Sequence, residues 1–210
     1  MNPQGSDAWL QERCGRVTAS RIADLMARTK TGWGASRTNY RSQLICERLT
    51  GCVQPSFTNA AMIHGTETEP EARRAYEFFV DRDVQQVGFI LHPTIEMAGA
   101  SPDGLVGDDG LLELKCPLSA THIETLLTGA IPDKYFKQIQ FQMACTGRAW
   151  CDFASYDNRL PERMRLYVKR IERDDEAVAE IEAEIRAFIK EIDETVDALR
   201  ARYEQLEEAA

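Results

Sequence analysis

The sequence predicts an α/β protein of the α+β kind: a mixed central sheet flanked by helices, with one long helix at the C-terminal end. Three observations predict it. Apolar residues recur at helical spacing up to about residue 81, give way to runs rich in valine, isoleucine and phenylalanine between 84 and 116, and then return to helical spacing. Gly107-Asp108-Asp109-Gly110 interrupts the strand-like stretch with a tight reversal. From 174 to 208 apolar residues fall at alternating three- and four-residue steps between charged ones.

Residues 6–13 and 18–28 read as short helices, with Ser6 or Asp7 and then Thr18 as N-caps. The polar stretch 29–36 reads as a loop, and a longer helix covers 37–50 and stops at Gly51. A loop follows at 52–58. Residues 59–81 are helical, as one helix or as two divided near Gly65 and Pro70. Strands are expected at 84–91, at 95–101 with a continuation through 104–106, and at 111–116, where Pro117 stops the last. Helices at 119–128 and 132–145 and a strand pair at 149–157 and 163–170 complete the core. In the tail, Val178, Ile181, Ile185, Phe188, Ile192, Val196, Leu199, Tyr203 and Leu206 form an apolar seam. Packing along the chain's own domain is the favoured use of it, and a subunit or partner contact by its distal part the alternative.

The chain of 210 residues suits a single domain over 1–210. No apolar run is long enough for a bilayer, and Met1–Asp7 lacks the basic and apolar parts of a signal peptide. The expected location is cytoplasmic. The six cysteines form no C-x-x-C pair, which suggests neither a zinc site nor a disulfide framework. A net charge of −9 argues at first against a nucleic-acid partner, but its distribution argues otherwise. Residues 1–58 carry a net +4, the middle −6, and the tail from 169 onward −7. A basic N-terminal region can still offer phosphates a positive surface.

The chemistry concentrates in Ser101-Pro102-Asp103-Gly104 and, after the turn, Leu112-Glu113-Leu114-Lys115-Cys116-Pro117. Side chains alternate along a strand, so Glu113 and Lys115 share one face and Leu114 points to the core. The reversal brings Asp103 beside Glu113. Two such carboxylates repel each other unless a cation joins them. Mg²⁺ is the expected one, because it takes oxygen ligands; the backbone carbonyl of Leu114 could add another. Lys115 would position or help deprotonate a water, while the metal neutralises charge on a phosphate. The residues thus point to a metal-dependent phosphodiesterase, against a plain surface salt-bridge cluster as the alternative.

The arrangement Asp103…Glu113-x-Lys115 resembles the PD-(D/E)-x-K nuclease superfamily. More narrowly, five segments resemble the phage lambda exonuclease family of YqaJ-like viral recombinases: Trp9 to Ser20, Gly65 to Glu69, Ser101 to Leu105, Leu112 to Pro117, and Gln138-Ile139-Gln140. In order and spacing they span about residues 8 to 170. The resemblance implies a PD-(D/E)-x-K nuclease core, divided into a basic helical N-terminal region (1–58), a catalytic core (59–170) and an acidic C-terminal helix (171–210).

It also implies roles. Asp103, Glu113 and the Leu114 carbonyl would hold a metal, and Glu69 a second ion or its water. Mn²⁺ would substitute for Mg²⁺, and two ions are expected. Lys115 would be the catalytic lysine. Gln138 would orient the attacking water or the lysine, with Gln140 and Gln142 as alternatives on the same helix. Arg13, Ser20 and Ser101 would grip the 5′-terminal phosphate of the strand being digested. Lys30, Trp33 and Met62 are weaker candidates for contact with DNA. An arginine that the family carries shortly after the lysine segment is absent here, and Thr121 stands at about its place.

The implied activity is processive 5′-to-3′ digestion of one strand of linear duplex DNA to mononucleotides, in phage-type recombination. The remaining 3′ strand would pass to a single-strand annealing protein, and the enzyme would be a ring-shaped homotrimer. The alternatives are another nuclease of the superfamily, such as an endonuclease, and a catalytically silent scaffold that binds DNA ends.

Overall fold

The computed structural model describes residues 2–55 and 59–208, with side chains as far as Tyr203. The Leu206 side chain and a portion of the loop expected at 52–58 therefore lie outside the described residues. The chain begins with α1 (Asp7–Arg13), a two-residue strand β1 (Val17–Thr18), a 3-10 turn (Ala19–Arg21) and α2 (Ile22–Leu25). The hairpin β2 (Arg28–Thr29) and β3 (Gly32–Trp33) precedes α3 (Ala35–Thr50). The expected helix 18–28 is thus broken into three short elements. Thr18 is held extended by its pairing with Gly99, and Ile22 and Leu25 are both buried, which four helical residues suffice to achieve. The expected loop 29–36 likewise holds one side of a hairpin and the start of α3.

Next, α4 (Ala60–Val80) is one helix, not two. The Asn59 side chain caps it by accepting from Met62 N–H at 3.0 Å, and it continues through Gly65 and Pro70 because Thr68, Ala72 and Tyr76 bury one face. The stretch expected as one strand at 84–91 is two: β4 (Val84–Gln85) and β5 (Ile90–Leu91), which belong to different sheets. β6 (Ala98–Ala100) pairs with β5, whereas β7 (Gly104–Val106) is a separate strand that turns back into β8 (Gly110–Lys115). The reversal therefore folds β8 onto β7 and not onto β6. α5 (Ser119–Thr128) and α6 (Asp133–Thr146) cross over to β9 (Trp150–Tyr156), followed by a 3-10 turn, β10 (Leu166–Glu172) and α7 (Asp175–Glu208).

The central sheet runs β10-β9-β8-β7-β4, with β8 and β9 parallel and its other pairs antiparallel, so it is mixed as expected. A parallel pair needs a crossover, and α5 and α6 provide it. One sheet face packs Leu112, Leu114 and Ala154 against Ala72 and Tyr76 of α4. The other packs Leu111, Cys151 and Phe153 against Ile139 and Met143 of α6. The opposite side of α6 presents Phe141 to a third cluster, made by Ile22, Leu25, Tyr40 and Leu44 with Ile181, Ile185, Phe188 and Ile192 of α7. The apolar seam of α7 is thus spent on its own chain from Val178 to Val196, while Tyr203 is exposed. Gly104 admits a close approach: a Cβ there would lie 2.0 Å from a Val84 methyl, so only glycine lets β4 lie against β7.

Candidate active site

β8 alternates as its sequence requires. Leu112 and Leu114 enter the α4 face; Glu113 points to the α6 face and is fully buried. A buried carboxylate needs a donor at each lone pair, and the site supplies them. Glu113 Oε1 accepts from Lys115 Nζ and, at 2.6 Å, from Gln138 Nε2. Its Oε2 accepts from Gln142 Nε2 at 2.7 Å. Gln138 and Gln142 stand one turn apart on α6, so one helix face holds both oxygens. Gln140 faces elsewhere: its amide donates to the Glu172 carbonyl and accepts from Asp174 N–H, both at 2.9 Å, and so ties α6 to the start of α7. Of the alternatives to Gln138, Gln142 joins it and Gln140 has a structural task.

Asp103 stands one position before β7, opposite Glu113 when the β7–β8 register is continued. Its Oδ2 accepts from Leu114 N–H at 2.6 Å. Burial pushes the Asp103 carboxyl well above the usual carboxylate range; the Glu113 charge adds to this, Lys115 opposes it and Glu69 adds further. Burial alone would depress the Lys115 ammonium. The Glu113 and Asp103 carboxylates outweigh it and hold the lysine above its ordinary value, so at neutral pH it is a cation. Its Nζ lies 5.1 Å from the centre of the Tyr135 ring, which in turn packs on Phe153.

Glu69, on α4, completes the acidic set. It is paired with Arg73 one turn on, and Arg73 also donates to the Asp103 carbonyl at 3.4 Å. Among the described residues no three His, Cys, Asp or Glu side chains stand grouped as metal ligands. The reason is visible: Glu113, Asp103 and Glu69 are each turned to a protein donor. Burial, with the Glu113 and Glu69 charges added to it, holds Asp103 raised and nevertheless marks a place short of positive charge. Three carboxylates there fit a hard divalent cation.

A second assembly lies at the N-terminal end. Arg13 Nη1 and Trp9 Nε1 donate to the Ser101 hydroxyl at 3.3 and 3.0 Å, and the Arg13 guanidinium lies 4.1 Å above the Trp9 ring. Arg13, Ser20 and Met62 line one cleft of about 650 Å³, together with Arg16, Arg21 and Tyr40. The structure thus gathers three of the expected contacts in one cleft, with Ser101 attached through Arg13. Lys30 and Trp33 line neither this cleft nor the acidic set. Trp33 is sandwiched between the Arg28 and Arg37 guanidinium groups, at 3.8 and 3.7 Å, and these pair with Glu184 and Glu191 of α7.

Sequence reasoning missed Arg73 and Trp9. Arg73 follows Glu69 by four residues, and Trp9 precedes Arg13 by four, so in each case one helical turn was the available signal.

Residues 8–149 match the YqaJ-like viral recombinase domain. The chain belongs to that family. Among solved structures, the alkaline exonuclease of Laribacter hongkongensis is 53% identical, matching 96% of this chain and 100% of its own with a TM-score of 0.90. The complex of that enzyme with dAMP gives the same values. A phage-related exonuclease from Haemophilus somnus 129PT shares the fold at 15% identity and a TM-score of 0.69, over 88% of this chain and 96% of its own. No curated protein matches the chain. The family assignment agrees with the lambda exonuclease resemblance carried by the motifs, and the mixed sheet, flanking helices and long C-terminal helix agree with the expected fold. Among the described residues no helix is long and apolar enough to cross a membrane.

Proposed function

We propose that the protein is a divalent-metal-dependent DNA exonuclease that digests linear duplexes from 5′ ends. The observation that carries this is the buried Glu113, held by Lys115, Gln138 and Gln142 beside a raised Asp103. Family membership and 53% identity to an alkaline exonuclease over nearly the whole chain support it. Asp103, Glu113, the Leu114 carbonyl and Glu69 are the residues that would hold Mg²⁺, or Mn²⁺ in its place, as two ions. When bound, such ions would neutralise charge on a scissile phosphate and lower the pKa of a water, so that it gives up a proton more readily and becomes the stronger nucleophile.

The chain's own residues do the rest. Gln138 and Gln142 fix the Glu113 carboxylate in one orientation, so that it is preorganised. Lys115, charged and pinned by Glu113, places a proton donor and a positive charge at the reacting phosphate. Arg13, Ser20 and Ser101 supply charge-assisted donors for a terminal phosphate, which carries more charge than an internal diester. Gripping the end and not the bases makes digestion independent of sequence. Met62, half exposed at the cleft, would lie against the terminal base pair, and Lys30 would meet DNA farther out, whereas Trp33 would serve to join its hairpin to α7. The reading extends to a homotrimeric ring that gives processivity, to mononucleotide products, and to delivery of the 3′ strand to an annealing protein in the cytoplasm. The dAMP complex of the Laribacter enzyme supports a deoxynucleotide product site.

The test is digestion of linear duplexes bearing 5′-phosphate or 5′-hydroxyl ends, with and without Mg²⁺. Expected is metal-dependent loss of the 5′-phosphorylated strand with release of mononucleotides. Cleavage of covalently closed circles at a comparable rate would overturn the exonuclease reading.

A further inference from the structure

One cation beside the acidic set has no role in the chemistry proposed so far. Arg73 is 12% exposed and sits one turn beyond Glu69. Its Nη2 donates to Glu69 Oε1 and to the Asp103 carbonyl. The Gln86 amide oxygen, in the orientation that satisfies both groups, accepts from Nη1 at 2.6 Å. Nε is buried without a partner. A guanidinium presents five donors in a fixed fork, so this one is short of acceptors. It lines a cleft of about 620 Å³ with Glu69, Thr66, Gln86 and Trp9. Trp9 also borders the cleft of Arg13 and Ser20, so the two clefts share that residue.

We propose that Arg73 is an exchange group. It neutralises Glu69 while no metal is bound; when a divalent cation takes Glu69, the freed guanidinium engages a phosphate of the DNA strand in the cleft it lines. The proposal rests on the reading of Glu69 as a metal ligand. Its physical basis is charge balance. The Glu113 and Glu69 charges both act on Asp103, and Arg73 compensates only Glu69. A cation drawn to Glu69 competes with Arg73 for the same oxygen. A covered guanidinium that loses its carboxylate is strongly destabilised unless another anion replaces it. A phosphate matches the fork of an arginine and lies on the substrate. Metal and DNA therefore favour each other's binding through Arg73, and such coupling is reciprocal.

Calorimetric titration of Ca²⁺ into the full-length protein tests this, with and without a blunt 5′-phosphorylated duplex confirmed intact on a gel. The duplex is expected to tighten Ca²⁺ binding about five-fold or more in the unaltered protein, a typical size for coupled sites. In Arg73→Met, Ca²⁺ should bind without DNA at least as tightly as before, and most of the tightening by DNA should disappear. Arg73→Lys keeps the charge but not the fork; it should leave DNA-free Ca²⁺ binding unchanged and still reduce the coupling. It carries the test if Arg73→Met does not fold. Weaker DNA-free Ca²⁺ binding in Arg73→Met would make Arg73 a mere support for Glu69 and overturn the exchange, as would unaltered coupling in either variant. Failure of the unaltered protein to bind Ca²⁺ at all would instead overturn the metal reading itself.

Discussion

Glu113 takes its hydrogen bonds from its own strand and from the helix that crosses its sheet, whereas Arg13 hangs from a seven-residue helix that buries no side chain. The acidic cluster is therefore fixed by the core. The arginine cleft is fixed by props. Tyr40 of α3 accepts from Thr18 N–H at 3.0 Å, Glu47 accepts from Gly15 N–H at 2.7 Å, and Arg48 donates to the Gly15 carbonyl at 2.9 Å. Arg48 and Phe188 then tie α3 to α7, through Asp193 and the Tyr40 ring. Reacting groups need positions held to a fraction of an ångström, which a sheet supplies; a terminal phosphate tolerates a grip built on short elements.

The largest expected effect lies in the rigid cluster. Lys115→Ala should lower the rate of duplex digestion by about 10²–10⁴-fold, the usual range for losing a positioned acid–base group. Binding to DNA ends, measured by fluorescence anisotropy in Ca²⁺, should persist because the arginine cleft is untouched. Undiminished digestion would remove Lys115 from the chemistry.

Arg13→Ala strikes the other region. Charge-assisted hydrogen bonds contribute roughly 1.5–3 kcal/mol each, so the variant should lose about ten-fold or more of its preference for 5′-phosphate over 5′-hydroxyl ends. The effect should fall on KM more than on kcat, because the grip is made before and during reaction alike. A preference that survives the substitution would place the phosphate elsewhere.

The two regions also differ in how far the sequence revealed them. Asp103, Glu113 and Lys115 were legible because strand alternation and the Gly107–Gly110 reversal dictate which side chains share a face. Arg13, Ser20, Glu69 and Gln138 were legible only through the family's order of motifs; nothing in their local pattern sets them apart. Gln142 emerged as a partner because helix geometry stacks it on Gln138. The split of 84–91 between two sheets was not legible, since strands of two residues are defined by their partners β6 and β7 and not by propensity. The breakup of 18–28 has the same cause, in the pairing of β1 with β6.

A subtler contrast concerns protons. Asp103 is raised in the folded protein, so the native state holds its proton to higher pH than the unfolded chain does. This stabilising contribution is complete below the ordinary aspartate range and is lost as pH rises from there through the folded value. Without metal, stability should therefore fall across that window, by at most about 1.4 kcal/mol per pH unit for one proton. Asp103→Asn should flatten the slope. Mg²⁺ should stabilise the fold more at the upper end of the window, where the carboxylate is ionised. Thermal melts at several pH values check both. A metal-free slope of the opposite sign would show that Asp103 is not the group in control.

The smallest expected effect concerns Trp33, which the sequence offered as a DNA contact and the structure places between Arg28 and Arg37. A partly exposed cation–π contact is worth about 0.5–1 kcal/mol, and more where water is excluded. Here the ring spaces two arginines that reach Glu184 and Glu191 of α7, so it joins the β2–β3 hairpin to the helix that props the arginine cleft. Trp33→Ala should lower unfolding stability in urea by about 1 kcal/mol. Because it loosens a prop and leaves the grip intact, its effect on DNA-end affinity should stay within about two-fold, roughly 0.5 kcal/mol at most. A stronger loss of DNA affinity at unchanged stability would reverse the assignment and return Trp33 to the DNA-facing surface.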